Sequence, residues 1–221
     1  MKFSGLLQQV LAVVLVVTGA AAGAEEPCAP FEGGRVDAAL LQVMRDAAGE
    51  GRLYRVAPGE SKVGFCVRHF PFQEFRGEFT RIVGGLALPP DPQGEGQALL
   101  LIHTTDMESS NKALDEVVRG HEFMDTERFP EILFVGRAFH WLDAHKGHIH
   151  GELTLRGRTQ PVVFSVGIDA LEEDPDGGYD RIYLHGTGQV NRYNFDMRSY
   201  RFFVSETVRL CLSVELVPWG S

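Results

Sequence analysis

The sequence predicts an all-β domain, an antiparallel barrel or sandwich, preceded by one helix and interrupted by a short helical insertion near residues 110–122. Three observations carry this. From Leu53 onward apolar residues alternate with polar ones at a period of two, clusters of Gly, Pro and Asp punctuate that pattern, and no long helical stretch separates the strands.

The chain opens on Lys2 and an apolar run from Val10 to Ala24 that closes with Ala22-Gly23-Ala24, the small-x-small pattern of a signal-peptidase site. Residues 1–24 are therefore expected to be a signal peptide. Gln8 and Gln9 interrupt the run, which falls short of the ~20 residues a bilayer span needs. Cys28 follows Glu25-Glu26-Pro27 rather than a small apolar triplet, which argues against a lipid anchor. Residues 25–50 then read as a Pro- and Gly-rich arm running into an amphipathic helix over 36–48. Val36, Ala39, Leu40, Val43, Met44 and Ala47 recur at helical spacing, with Asp37 in the first turn and Gly49 as the stop.

Residues 51–221 form the main domain. Strands are expected over 53–57, 61–69, 75–88, 97–105, 131–141, 148–156, 161–170, 179–190 and 205–217, with turns at Pro89-Pro90-Asp91-Pro92, Lys146-Gly147 and Asp174-Pro175-Asp176-Gly177-Gly178. The break at 109–127 carries Leu114, Val117 and Val118 on a short helix that Ser110 can cap, and reads as a lid or plug across one end.

Alternation assigns the faces. Phe65 and Val67; Ala98, Leu100 and Ile102; Ile132 and Phe134; Leu153 and Leu155; Val162, Phe164, Val166 and Ile168; Leu184 and Val190; and Val208, Leu210, Leu212 and Val214 share one phase and should face inward. Such an interior is either a closed packed core or room for one slender ligand. Leu99, Leu101, Leu133 and Val135 make the outward phase of two strands apolar. Docking Leu40, Val43 and Met44 of the helix over them, within one chain or across a homodimer, would remove both exposed surfaces.

Composition excludes some functions. The chain has a net charge of −9, moving to about −10 once the leader is gone, which argues against nucleic acid as a partner. Three cysteines in an exported protein allow a disulfide. Cys66 and Cys211 both fall in the outward phase, so a Cys66–Cys211 bridge forms if the early and final strands are neighbours, while Cys28 on its arm can reach either. His140, His145, His148 and His150 form the densest histidine group, yet no Cys or acidic ligand stands at a recognised metal spacing beside them, and a solvated hairpin is the simpler reading. Neither a Gly-x-Ser-x-Gly elbow nor a serine aimed at a histidine is present, so no enzyme is expected. Glu25-Glu26 and Glu172-Glu173 read as solvated surface.

One resemblance unites these features. Gly151-Glu152-Leu153-Thr154-Leu155-Arg156-Gly157 through Val162, Asn191-Arg192-Tyr193-Asn194-Phe195, Val63-Gly64-Phe65-Cys66-Val67-Arg68-His69, Phe123-Met124-Asp125 and Arg128-Phe129-Pro130 stand in the order seen in the YceI-like proteins. Asp115 and Arg119 match as well, so the likeness spans about 53–217. It implies a lipocalin-like antiparallel barrel of about eight strands in the periplasm that binds an isoprenoid lipid, a prenyl quinone or polyprenyl phosphate, and needs no cofactor. On that reading Phe65, Val67, Leu100, Ile102, Phe134, Leu153, Leu155, Phe164, Val166, Leu184 and Leu212 would hold the chain of the lipid, with His69, Arg76 and Arg192 as candidates for its head group. A membrane surface or a membrane redox protein would serve as donor or acceptor. The alternative is a structural or regulatory barrel with a filled core that docks onto such a redox protein. Asp196, where relatives often carry Gly, the three cysteines and the helix at 36–48 depart from the family pattern.

Overall fold

The computed structural model describes residues 38–57, 59–71, 73–89, 96–173 and 179–220. The leader, Cys28 and the start of the arm, with Val36 and Asp37, lie outside them. Two helices, α1 (Ala38–Gly49) and α2 (Lys112–Arg119), accompany eleven strands: β1 (Leu53–Val56), β2 (Lys62–His69), β3 (Gln73–Phe79), β4 (Ile82–Ala87), β5 (Gln97–His103), β6 (Met107–Ser109), β7 (Glu131–Trp141), β8 (Lys146–Leu155), β9 (Arg158–Glu173), β10 (Tyr179–Asn191) and β11 (Val204–Pro218).

Eight strands close an antiparallel barrel in the order β1-β4-β5-β7-β8-β9-β10-β11, with β11 returning to β1. Closure removes the free edges that an open sheet would expose. The long strand β11 forks: its end pairs with β1 (Leu216 opposite Val56), while Val204 to Ser213 pairs with β2, which continues to β3 and β6. The β8–β9 hairpin turns on Arg156 and Gly157, both at positive φ (51° and 67°), the two-residue geometry that matches strand twist.

The stretch expected as one strand over 75–88 is two, because the chain turns at Thr80-Arg81. The short β6 has too few residues to show a period. The β7–β8 turn falls at 142–145, where Asp143 Oδ1 accepts from the backbone N–H groups of His145 (2.7 Å) and Lys146 (2.8 Å), so Lys146 and Gly147 already belong to a strand. These bonds hold the Asp143 carboxyl below its ordinary range, the His145 N–H contributing most. Asn111, not Ser110, caps α2, its side chain accepting from Ala113 N (3.1 Å) and Leu114 N (3.3 Å).

Two apolar layers hold the molecule together. The inner one lines the barrel and packs one of its halves solid. The outer one joins Leu40, Met44 and Ala47 of α1 to Leu53, Ala87, Leu99, Leu101 and Val135, with Leu133, Val83 and Trp219 against its margin. The unusual outward leucines are thus covered by the helix of the same chain, and Leu99 and Met44 are wholly buried. Val43 does not take part; it is exposed on the far side of α1. The helix ends at Gly49, as expected, and two residues on Gly51 takes the left-handed conformation (φ 71°) while Arg52 N donates to Ala47 O at 2.7 Å. Among the described residues neither helix is long and apolar enough to cross a membrane.

Candidate functional site

A cavity of about 400 Å³ occupies one half of the barrel, within the range of small-molecule sites. Each long strand contributes its residues nearest that end: Val63, Phe65 and Val67 from β2, Leu100 and Ile102 from β5, Ile132 and Phe134 from β7, Leu153 and Leu155 from β8, Phe164 from β9, Val190 from β10, and Val208, Leu210 and Leu212 from β11. Val67, Leu100, Leu210 and Leu212 point inward yet are only half-buried, because they border open space rather than a partner. Phe134 and Phe164 meet edge to face at 5.2 Å between ring centres on the floor side. Gly77 makes room for the Phe65 ring: a Cβ there would lie 2.6 Å from it.

The other half is filled. Tyr54, Val56, Phe139, Ile149, Val166, Ile182, Leu184, Val214 and Leu216 are buried there, and none of them lines the cavity. Val166 and Leu184, expected among the ligand-contacting residues, therefore belong to this packed floor. Alternation gave their face correctly but carries no information on depth along the barrel.

Around the mouth stand α2, through Leu114, Val117 and Val118, and the segments 123–124 and 197–204, through Phe123, Met124, Met197, Tyr200, Phe203 and Val204. Of these, Val117, Tyr200 and Phe203 are also exposed, so the cavity reaches the surface between α2 and that last segment. Phe123 stacks on Tyr200 with planes 5° apart and centres 5.8 Å apart. The Tyr200 hydroxyl is raised above its ordinary pKa, first by its hydrogen bond to Glu122.

Two polar side chains among the head-group candidates reach the cavity. His69 continues the inward phase of β2 at the mouth. Arg192 is 1% exposed and donates through Nε to Ser205 O (2.9 Å), through Nη2 to Val204 O (3.1 Å) and through Nη1 to Met197 O. It also lies over the Tyr193 ring at 4.8 Å. Its guanidinium is desolvated, which lowers its pKa, and it draws the 197–205 segment against the barrel. Arg76 does not reach the cavity. It sits between Phe75 and Gly77 on the outer face of β3, opposite Cys66, and pairs with Glu74 at 2.8 Å. That ion pair, with Arg209 behind it, holds the Glu74 carboxyl below its ordinary range.

Cys66 and Cys211 share the outer face of adjacent strands, but both are free thiols. Cys66 stands opposite Arg209 and Cys211 opposite Gly64, a diagonal placement. Diagonal neighbours are ~7–8 Å apart, beyond the ~4.4–6.8 Å between Cα atoms that a disulfide spans. Burial, first, and the neighbouring Cys211 raise the Cys66 thiol. Among the histidines, His140 and His150 meet edge to face at 4.9 Å, His148 Nδ1 faces Ser165 Oγ at 3.3 Å, and no group of three metal-ligating side chains gathers among the described residues.

The motif residues that alternation left unexplained converge on the mouth. Asp125, buried at positive φ (52°), pairs with Arg128 at 3.2 Å and lies 3.9 Å from Arg156. Arg156 also donates to His121 O and Asp196 O, each at 3.1 Å, and so ties three loops together. Asn191 Oδ1 accepts from Tyr193 N at 2.9 Å and caps a 3-10 turn over Arg192–Phe195. Asp196 ends that turn in the left-handed region (φ 60°), where Gly is favoured and Asp is tolerated. Its carboxylate pairs with Arg158.

The fold and cavity define a lipocalin-like barrel with a hollow, apolar half. The YceI-like domain family matches residues 54–216, and the chain belongs to that family. Protein YceI of Escherichia coli O157:H7 is 25% identical over 153 residues, covering 69% of this chain and 79% of that protein. Among solved structures, Burkholderia cenocepacia BcnA superposes with a TM-score of 0.63 at 18% identity, over 72% of this chain and 98% of its own. A polyisoprenoid binding domain from Saccharophagus degradans, implicated in plant cell wall breakdown, superposes at 0.57 with 13% identity, over 75% and 98%.

Proposed function

We propose that this protein binds a long-chain isoprenoid lipid, a prenyl quinone or a polyprenyl phosphate, inside the barrel and sequesters or carries it in the periplasm. The observation that carries this is the cavity itself, open at one end and walled by aliphatic and aromatic side chains. Each buried methylene contributes on the order of 0.8 kcal/mol, so several isoprene units bind tightly with no charged contact. Leu100, Phe134, Leu153 and Leu212 would touch the chain of the lipid, while His69 and Arg192 stand where a head group would rest. The polyisoprenoid-binding domain of similar fold supports the choice of ligand, and the leader pattern over residues 1–24 supports export. Binding of this kind asks for no reactive group in the lining. The filled core that the docking-only alternative requires is at odds with the hollow half.

Native mass spectrometry of gently purified protein tests the reading. The wild type should retain a molecule of isoprenoid mass. Phe134→Asp, which puts a charge in the wall, and Leu212→Phe, which fills the open space, should both lose it while circular dichroism shows the barrel intact. Retention by both folded variants would rule out an interior site.

A further inference from the structure

At the mouth the turn after β2 and the segment before β11 lie side by side. Phe70 N donates to Phe203 O at 2.7 Å, and the N–H groups of Phe203 and Val204 both donate to Tyr200 O at 2.8 Å. This backbone frame holds Phe70 and Phe203 edge to face at 6.4 Å, and the Arg201 guanidinium lies 4.6 Å above the Phe202 ring. The aromatic side chains point into water: Phe202 is 79% exposed, Phe70 65% and Phe203 59%. Water penalises such surface, and a cluster of this kind marks a contact site.

Charge at the same place identifies the partner. The protein is acidic overall, yet Arg68, Arg198 and Arg201 are exposed on this rim. Among the described residues Arg68 and Arg201 have no carboxylate partner, and Arg198 has Asp196 no nearer than 3.9 Å. Of the nearby acids, Asp196 pairs with Arg158, Glu122 bonds the Tyr200 hydroxyl, and Glu206 stands at the edge of the groove between Arg68 and Phe202. Exposed aromatic rings flanked by unpaired arginines match the bilayer interface, where rings sit at the level of the head groups and cations meet phosphates. The patch is also continuous with the cavity, since Tyr200 and Phe203 belong to both.

We propose that this rim is a docking surface for an anionic phospholipid bilayer, with Phe70, Phe202 and Phe203 in the interface and Arg68 and Arg201 on lipid phosphates. Seated this way, the barrel opens its mouth onto the membrane. The purpose of the surface rests on the cavity being a lipid site, although its chemistry stands on its own residues.

Flotation of the full mature protein with vesicles tests it, comparing phosphatidylcholine alone with the same lipid containing about one third phosphatidylglycerol. The wild type should float with the anionic vesicles at low salt. Phe70→Ser and Phe202→Ser, which leave the cavity lining untouched, should each lower partitioning roughly tenfold. Arg68→Gln and Arg201→Gln should each lower it roughly fivefold on anionic vesicles only, an effect that high salt reproduces. Leu142→Ser, which removes an exposed leucine (68%) at the opposite end, should leave flotation unchanged. A wild type that stays unbound, F70S and F202S variants that float as it does, or an L142S variant that loses as much would overturn the proposal. Native mass spectra of the same samples separate the two readings. Vesicle binding without a retained isoprenoid keeps the surface and removes the cavity ligand; a retained isoprenoid without vesicle binding does the reverse.

Discussion

The two halves of the barrel are built from the same kinds of residue and differ in what lies between them. In the closed half Ile182, Leu184, Val214 and Leu216 are buried against one another. In the open half Val67, Val190, Leu210 and Leu212, equally inward, are only partly covered. The filling comes from residues outside the simple alternation. Tyr54 on the short β1 enters the floor, its hydroxyl accepting from Tyr179 N at 3.2 Å. A bulge between Gly136 and Ala138 shifts the phase of β7 and turns Phe139 and Trp141 inward. A period of two therefore distinguishes inside from outside, while bulges and added strands decide whether the inside is solid.

That contrast can be broken most forcefully from outside the barrel. Deleting residues 25–50 removes α1 and uncovers Leu99, Leu101 and Val135. At about 1.5–3 kcal/mol for each buried aliphatic side chain, the loss should reach roughly 5 kcal/mol or more. It should appear as a melting temperature lower by ~10 °C or more and as aggregation in light scattering. Lipid retention by the folded fraction should persist, because α1 touches no cavity residue; a truncated protein as stable and monodisperse as the full chain would show the outer layer to be idle.

A paired substitution sharpens the comparison directly. Ile182→Ala opens a hole in a packed floor and should cost about 2–5 kcal/mol. Leu212→Ala enlarges a space that already exists and should cost under about 1 kcal/mol, since the deleted methyl groups had partners on one side only. Denaturant titration of both reads the difference, and equal costs would mean that the open half is collapsed in solution.

The smallest effect concerns the outer wall of the open half. Cys211 is exposed, and Cys66 is partly buried with its thiol pKa raised, so alkylation at pH 8 should modify Cys211 first. Stability and lipid content should not change. Peptide mapping without reductant should find no Cys66–Cys211 crosslink, and finding one would mean that β2 and β11 pair in another register.

The fold was legible wherever one physical signal dominated. Alternation placed the inward set from Phe65 to Val214, and the clash of an apolar outward phase with an apolar helix anticipated the docking of Leu40 and Met44. Arg76 lies near a family motif, but Phe75-x-Gly77-x-Phe79 takes the inward phase and puts it outside. Phe75 and Phe79 also line the cavity, on a strand that the sequence pattern does not separate from the next. Tyr200 and Phe203 carry no period at all, since they lie in an irregular segment that Arg192 fastens through backbone carbonyls. The structure carries no Cys66–Cys211 bridge because the β2–β11 register sets the two cysteines diagonally, and register depends on where strands meet and cannot be read from either strand alone.

The fork in β11 has a mechanical meaning. Among the described residues β2, β3 and β6 are joined by hydrogen bonds to the eight-strand ring through β11 alone. The ring is a hoop, and these three strands are a leaf hung on one of its staves. Phe65, Val67, Phe75 and Phe79 all sit on that leaf. Tilting it would change the girth of the hollow half without breaking a single ladder of the hoop.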